Sequence, residues 1–292
     1  MTKYSKFKEV FDTLKKVRPN WMDEVKELKR EAEACYNGKE YSVNEHVEKL
    51  ILAMLSCQRR WQDLVPHINN GDIPKAFYNY DANILKNTPA KDLYDRITAN
   101  NCGNRRIGEQ TDCLSYDIAI IEKMYENNVY DIKHGYYSVT HNNDCSPNFD
   151  GVIKVIRLLA EGKSADVPNA HRFKMKEMGV ALVCEYIKGF GINVVKPDTH
   201  VCRILGRLGL NPTSAICKDL SAYDAIKVCN EIADEYCDEL KKENAIIPPA
   251  VLVDTIIWQF GAKEKAEICT SKAPKCNLCL ARDNCPYFKS HK

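Results

Sequence analysis

The chain lacks any apolar run long enough to cross a membrane as a helix, which takes about eighteen or more residues. Its first residues, MTKYSKFKEVFDTLKKV, are charged throughout and contain no apolar signal-peptide core. Sustained strand-like alternation and internal repeats are also missing. These absences argue against a membrane partner, export, a major sheet and a repeat array. We therefore expect a cytoplasmic protein, associated with the nucleoid if its source is prokaryotic.

A strong charge of one sign is absent as well. The 42 Lys and Arg residues against 40 Asp and Glu residues leave a formal net charge of +2. A value this close to zero neither supports nor excludes a nucleic-acid partner. The residues beyond Gly261 are locally basic, which is compatible both with phosphate contact and with a solvated tail.

What the chain does have is helical periodicity, which predicts an all-α fold. The segment 5–36 is predicted to be helical with a break at Pro19, and Asn44 is a candidate N-cap for the apolar run from residue 47 to 55. Further helices are predicted at residues 90–97, 113–125, 152–160, 178–187, 199–208, 222–239 and 250–260. The segment Asn127–Asp150 is rich in Asn, Asp and Tyr, and predicts a long loop or insertion. Its aromatic residues Tyr130, Tyr136, Tyr137 and His141 could stack on a flipped base or pack the insertion onto the barrel, and the sequence leaves both uses open.

Cysteine is abundant, with fourteen residues in a chain that we expect to stay in a reducing compartment. Ten are widely spaced and are predicted to be small core residues: Cys35, Cys57, Cys102, Cys113, Cys145, Cys184, Cys202, Cys217, Cys229 and Cys237. The remaining four, Cys269, Cys276, Cys279 and Cys285, follow the spacing C-x6-C-x2-C-x5-C. This spacing predicts a metal site made of thiolates and leaves open both an iron–sulfur cluster and a structural zinc.

The run AEICTSKAPKCNLCLARDNCPY resembles the loop that ends the endonuclease III and MutY family of DNA glycosylases, with the same spacing at all four cysteines. Two upstream motifs are similar to that family in the same order: Leu55-Ser56-Cys57-Gln58 and Pro197-Asp198-Thr199-His200. The resemblance implies a [4Fe-4S] cluster held by the four cysteines. It also implies a two-lobed helix-hairpin-helix fold, with a helical barrel at residues 45–190 that carries an insertion near 127–160. Residues 1–44 and 191–292 would form the cluster lobe.

The same resemblance implies excision of a damaged, mismatched or modified base from double-stranded DNA by a monomeric enzyme. Asp198 would stabilise positive charge on the sugar and deprotonate a water, although its position also suits a simple N-cap. Gln58 would fill the gap left by the flipped base, and Arg59 would contact phosphate. The cysteine loop, residues 269–285, contains Lys272 and Lys275, which are further candidate phosphate contacts.

The chain departs from the family at the hairpin. The matching stretch is FKMKEMGVA, and the family's catalytic lysine falls on Val180, or on Gly179 if the closing alanine is matched. We therefore expect a monofunctional glycosylase, in which Lys174 and Lys176 remake the phosphate contact as side chains. The stretch LAMLS before Cys57 has no carboxylate, which argues against a MutY-type adenine glycosylase.

Three alternatives remain open at this point. A lysine displaced from the family position could still give a bifunctional glycosylase with lyase activity. A non-catalytic iron–sulfur DNA-binding protein could keep Asp198 only as a cap. An electron-transfer protein could use the cluster, although the chain has no second redox motif.

Overall fold

The computed structural model of the chain describes residues 4–211 and 217–291. All regular structure within these ranges is helical, apart from one isolated antiparallel bridge between His141 and Pro147. The predicted all-α class is therefore confirmed. None of the helices in these ranges is long and apolar enough to cross a membrane.

Sixteen α-helices lie within the described ranges. In chain order, the first eight are α1 Ser5–Val17, α2 Lys26–Tyr36, α3 Val43–Leu55, α4 Trp61–Asn69, α5 Asp72–Ala76, α6 Ala82–Asn87, α7 Ala90–Ala99 and α8 Ile107–Glu126. The others are α9 Tyr137–Thr140, α10 Phe149–Glu161, α11 Val180–Lys188, α12 Thr199–Arg207, α13 Ala222–Glu235, α14 Cys237–Glu243, α15 Pro249–Gly261 and α16 Pro286–Ser290.

Three local predictions need correction. The N-cap of α3 is Ser42 and not Asn44, because Ser42 and Glu45 form a reciprocal capping box. The predicted helix at residues 222–239 is two helices, with a break at Tyr236. The segment Asn127–Asp150 is not a plain loop, since it contains a 3-10 turn at Val129–His134 and the short helix α9.

The chain folds into two compact units, each with its own packed interior. Unit 1 consists of Met1–Ala34 and Gly191–Lys292, and unit 2 of Cys35–Phe190. Residues 35–44, which the sequence assigns to the cluster lobe, group with unit 2.

Unit 1 is built around α15, which is buried along most of its length because its sequence is apolar on nearly every side. Helices α1, α12 and α13 all pack against α15. Three of the four clustered cysteines, Cys269, Cys279 and Cys285, pack against the same hydrophobic core. The position of α12 beside α15 sets the place of the candidate site.

In unit 2, α3 packs against α8 and α11. A fully buried polar chain ties the insertion to these helices: Tyr136 donates to the Tyr186 hydroxyl at 3.1 Å, and Tyr186 donates to His46 Nδ1 at 2.7 Å. The Nε2–H of His46 donates to the carbonyl of Ile132 at 3.0 Å. This assignment follows because a carbonyl can only accept. Burial lowers the pKa of His46 to about 4, so this histidine is neutral at physiological pH.

The prediction for the ten scattered cysteines holds only in part. Four of them are buried, namely Cys35, Cys102, Cys184 and Cys229. Five are half-buried, and Cys145 is exposed.

Candidate functional site

Asp198 is the N-cap residue of α12. Its Oδ1 accepts hydrogen bonds from the backbone N–H groups of His200 at 2.8 Å and Val201 at 3.0 Å. Within the described part of the chain, no group donates to its other oxygen, Oδ2. The side chain is half-buried. One oxygen is therefore fixed by the helix start, while the other is available to a ligand or a water.

The segment before Asp198 is tied to α15 at two points. The backbone N–H of Lys196 donates to Oδ2 of the buried Asp254 at 3.3 Å. The Oδ1 of Asn193 accepts from the N–H of Ala250, in the first turn of α15, at 2.8 Å. The N–H of Asp198 in turn donates to the carbonyl of Lys196 at 2.8 Å. The backbone that carries the carboxylate is thus held by the core helix of unit 1.

Arg203, one turn into α12, joins the Asp198 end of the helix to the cysteine loop. Its Nη2 donates to Nδ1 of His200 at 3.1 Å and to the carbonyl of Cys269 at 3.4 Å. Burial lowers the pKa of His200, against the opposing effect of the Asp198 charge. Because a guanidinium can only donate, Nδ1 of His200 accepts from Arg203, and this contact orients the helix start.

Arg207, in the last turn of α12, is 6% exposed and holds the cysteine loop directly. Its guanidinium donates to the carbonyls of Thr270 at 2.5 Å and Ser271 at 2.9 Å, and its Nη1 lies 3.5 Å from the Cys269 sulfur. It also lies 4.1 Å from the ring centroid of Tyr287. One helix thus carries the candidate carboxylate at its start and the support of the cysteine loop at its end.

The four clustered cysteines line one cavity, with an empty volume of about 380 Å³ that includes its open mouth. Apolar side chains such as Ile204, Phe260 and Ile268 form the rest of its wall together with Arg207 and Arg282. No group of three or more His, Cys, Asp or Glu side chains in residues 4–211 and 217–291 is arranged to hold a single metal ion. The four thiols thus share a cavity without forming a site for a single metal ion.

Burial raises the pKa of the thiols of Cys269 and Cys276, and raises that of Cys279 to about 12. The Arg207 guanidinium opposes this effect at Cys269. A metal group bound by these residues must therefore displace protons from them, because the thiolate is the ligating form.

The two lysines of the cysteine loop differ in their surroundings. Both Lys272 and Lys275 are exposed. Lys275 forms an ion pair with Glu267 at 3.5 Å. The described residues provide no ion-pair partner for Lys272, so its charge is available to an external anion.

Gln58 and Arg59 follow α3 in unit 2. Gln58 is exposed and has a φ of +51°, a left-handed conformation that turns the chain sharply. The Arg59 guanidinium donates to the backbone carbonyls of Asn101 and Gly103, while its buried Nε has no partner among the described residues. Arg59 therefore braces the turn, and the predicted phosphate contact would have to use the same guanidinium.

The segment Asn101–Arg106 is a site element that reasoning from the sequence missed. Besides its bonds to Arg59, it is joined to α3 by Asn104, whose Nδ2 donates to the carbonyl of Met54 at 2.8 Å. It is joined to the hairpin stretch by an ion pair between Arg106 and Glu177. The available signal was the sequence NCGNRR, with two adjacent arginines just before a helix.

The hairpin stretch leads into α11, whose N-cap is Gly179. Lys174 and Lys176 are both exposed, and the Lys176 amine lies 4.1 Å from the ring centroid of Tyr116. Glu177 has a φ of +54°, at the position of a family glycine when the closing alanine is matched. A non-glycine residue thus makes this turn in the left-handed conformation that favours glycine.

Asp117 on α8 supports the turn at Glu177 from the buried side. It is 1% exposed, and its Oδ1 accepts from the backbone N–H of Lys176 at 2.8 Å. Burial raises the pKa of Asp117 to about 7, despite the hydrogen bond from Lys176. The backbone N–H of Lys176 is therefore already used and is not free for a phosphate.

The aromatic residues of the insertion serve mainly as packing. Tyr136 is fully buried, and the Tyr130 hydroxyl bonds to Ser164 at 2.7 Å. Tyr137 and His141 stack on each other with ring centroids 4.0 Å apart. Of the two uses that the sequence leaves open, stacking on a base and packing, these contacts favour packing.

Comparison with protein-family models, with curated proteins and with solved structures finds no match for this chain.

Proposed function

We propose that this protein is a DNA glycosylase that hydrolyses the N-glycosidic bond of a damaged, mismatched or modified base. Its two units would correspond to the barrel lobe and the cluster lobe of the helix-hairpin-helix glycosylases, with a [4Fe-4S] cluster bound by Cys269, Cys276, Cys279 and Cys285. The observation that carries the proposal is the half-buried Asp198, which has one fixed and one open carboxylate oxygen on a helix tied to the cysteine cavity.

In this proposal Asp198 acts on the flipped nucleotide. As the bond between C1′ and the base nitrogen breaks, the base leaves with the bonding electrons and positive charge develops on the sugar. The Oδ2 of Asp198 stabilises that charge and takes a proton from the attacking water, whose oxygen forms the new bond to C1′. The helix-start amides hold Oδ1, so the carboxylate does not have to reorient during the step.

The four cysteines fit the proposed cluster as a donor set. All are thiols lining one cavity, and Arg207 directs a positive charge at Cys269. The cluster would serve as a cross-link that holds the loop carrying Lys272 and Lys275 in a conformation suited to DNA phosphates.

Hydrolysis by water is favoured over a lysine mechanism. The family's lysine position holds Gly179 or Val180, and the Lys176 amine lies over the Tyr116 ring. A covalent complex with DNA that borohydride traps in the wild-type protein, and that is lost on replacing Lys174, would establish the bifunctional alternative instead.

The decisive experiment is a base-release assay on a panel of duplexes, each with one damaged or mismatched base. Strand cleavage is scored before and after alkali. We expect cleavage of at least one substrate after alkali only, and its loss in Asp198→Asn. Release by Asp198→Asn at the wild-type rate would contradict the role of the carboxylate.

A non-catalytic DNA-binding protein is the second candidate, because Asp198 does make a complete N-cap. This candidate predicts that the protein binds a duplex but releases no base from any substrate. It also predicts that Asp198→Asn does not change the affinity for DNA. A cluster whose redox state changes with a small-molecule substrate would support the electron-transfer alternative.

A further inference from the structure

Trp61 is a large apolar side chain that the fold leaves open to solvent. It is the first residue of α4, and the residue is 37% exposed. Among the described residues, no aromatic ring stacks on it and no cationic group lies over its ring. The other two tryptophans differ: Trp21 is 1% exposed, and the Lys265 amine lies 5.3 Å from the ring centroid of Trp258.

The backbone that carries Trp61 is held firmly. Arg59, two residues earlier, is bonded to the carbonyls of Asn101 and Gly103. Arg60 binds Asp63 with two parallel hydrogen bonds, both of 2.8 Å. An exposed ring on a rigid support loses little conformational freedom when it binds a ligand.

The charge around Trp61 is positive. The segments Cys57–Trp61 and Asn101–Arg106, which Arg59 joins, contain four arginines and no acidic residue. Asp63 and Glu177 neutralise two of the four. Arg105 is exposed and has no ion-pair partner within the described ranges.

We propose that Trp61 stacks on a nucleobase of bound DNA, next to the position where Gln58 enters the duplex. This inference rests on the proposed function and names one of its DNA-binding residues. An exposed aromatic ring on a basic segment of the chain is suited to bind an unstacked base together with its phosphates. The residues on either side of Trp61 in the chain, Arg60 and Gln62, are both polar.

The test uses the tryptophan emission and the DNA affinity of the full-length protein. The probes are a short duplex with one abasic-site analogue and the same duplex fully paired. We expect the abasic duplex to quench the emission, and most of this quenching to disappear in Trp61→Phe but not in Trp258→Phe. Trp61→Ala should weaken binding of the abasic duplex by about 5- to 150-fold, the range for loss of one stacked base.

Three readouts separate stacking from other roles. The salt slope of binding should be the same in Trp61→Ala as in wild type, because stacking neutralises no phosphate. Trp61→Phe should recover most of the affinity, and Tyr94→Ala, which removes another exposed aromatic of unit 2, should bind like wild type. Quenching that depends on protein concentration instead of DNA would overturn the proposal in favour of self-association through Trp61.

If DNA binds but the emission stays constant, or if Trp61→Ala binds within twofold of wild type, the stacking role is wrong while the glycosylase proposal stands. If neither duplex binds at any accessible concentration, both proposals fail.

Discussion

Asp198 combines the role of a helix cap with that of a candidate catalytic carboxylate, and two substitutions separate them. Asparagine caps a helix about as well as aspartate, so Asp198→Asn should keep the free energy of unfolding within about 0.5 kcal/mol of wild type. Asp198→Ala should lower it by about 1 kcal/mol, because the N–H groups of His200 and Val201 lose their acceptor. Urea unfolding measures both values. Equal destabilisation by the two variants would contradict the cap geometry.

Gly179 offers a test of the missing lysine. Its φ is −70°, it is exposed, and a Cβ added to it meets no atom within 4 Å, so a lysine fits without strain. In the bifunctional members of the family that the sequence resembles, a lysine at this position attacks C1′ and forms a Schiff base. We expect Gly179→Lys to give a borohydride-trapped complex and strand cleavage without alkali, on whichever duplex the wild type processes.

Val180→Lys is the matched control for the other register. If borohydride traps a complex of DNA with only one of the two variants, that variant shows which residue corresponds to the family's lysine. If neither variant is trapped while both still release the base, the register derived from the resemblance is wrong.

Among the helices, α12 supports the candidate site, since it carries Asp198 at its start. Arg207 connects this helix to the cysteine loop. Arg207→Met keeps much of the packing but leaves the carbonyls of Thr270 and Ser271 without their donor. We expect the free energy of unfolding to fall by about 2–3 kcal/mol, as for a lost charge-assisted pair. Iron and sulfide content per chain should fall as well, because the loop that carries Cys269 loses its support.

Lys289→Met serves as the control for Arg207→Met, since it removes a charge near the end of the same loop region. It should leave both unfolding and iron content unchanged. A normal iron content in Arg207→Met would mean that the cysteines hold the loop without help from α12.

For the molecule as a whole, stability should depend on pH through buried ionisable groups of unit 2. The folded state keeps His46 neutral down to about pH 4, whereas the unfolded chain protonates it below pH 6.5. The stability that neutral His46 provides is therefore present above pH 6.5 and is lost as the pH falls towards 4. Asp117, with a pKa raised to about 7, acts in the opposite direction, because its stabilising contribution is lost as the pH rises from 3.8 to 7.

Since the two groups oppose each other, the measurement is the difference between wild type and His46→Gln. Between pH 7 and pH 5, wild type should lose about 2 kcal/mol of unfolding free energy relative to this variant. Urea unfolding at the two pH values gives the difference. Parallel pH profiles would show that His46 titrates alike in the folded and unfolded chains.

The sequence by itself determined those features that depend on local spacing. Apolar periodicity predicted the all-α class and the helices of ten or more residues, but not the shorter helices α4, α5, α6, α9 and α16. The order Pro197-Asp198 predicted a helix start with a carboxylate at its cap. The absence of a lysine at residues 179 and 180 was also predictable from the sequence, because it depends only on which residue stands at a given distance from Asp198. The assignment of the four thiols as a metal site remains a prediction.

Only the tertiary structure decided what each polar group contacts. Arg59 could contact phosphate by its position in the sequence, yet the carbonyls it binds lie more than forty residues away. Asp117 supports the hairpin from 59 residues away. Tyr136 could stack on a base by its position in the sequence, yet it is buried and bonded to Tyr186. Such pairings depend on how helices pack and not on local spacing, so no window of sequence contains them.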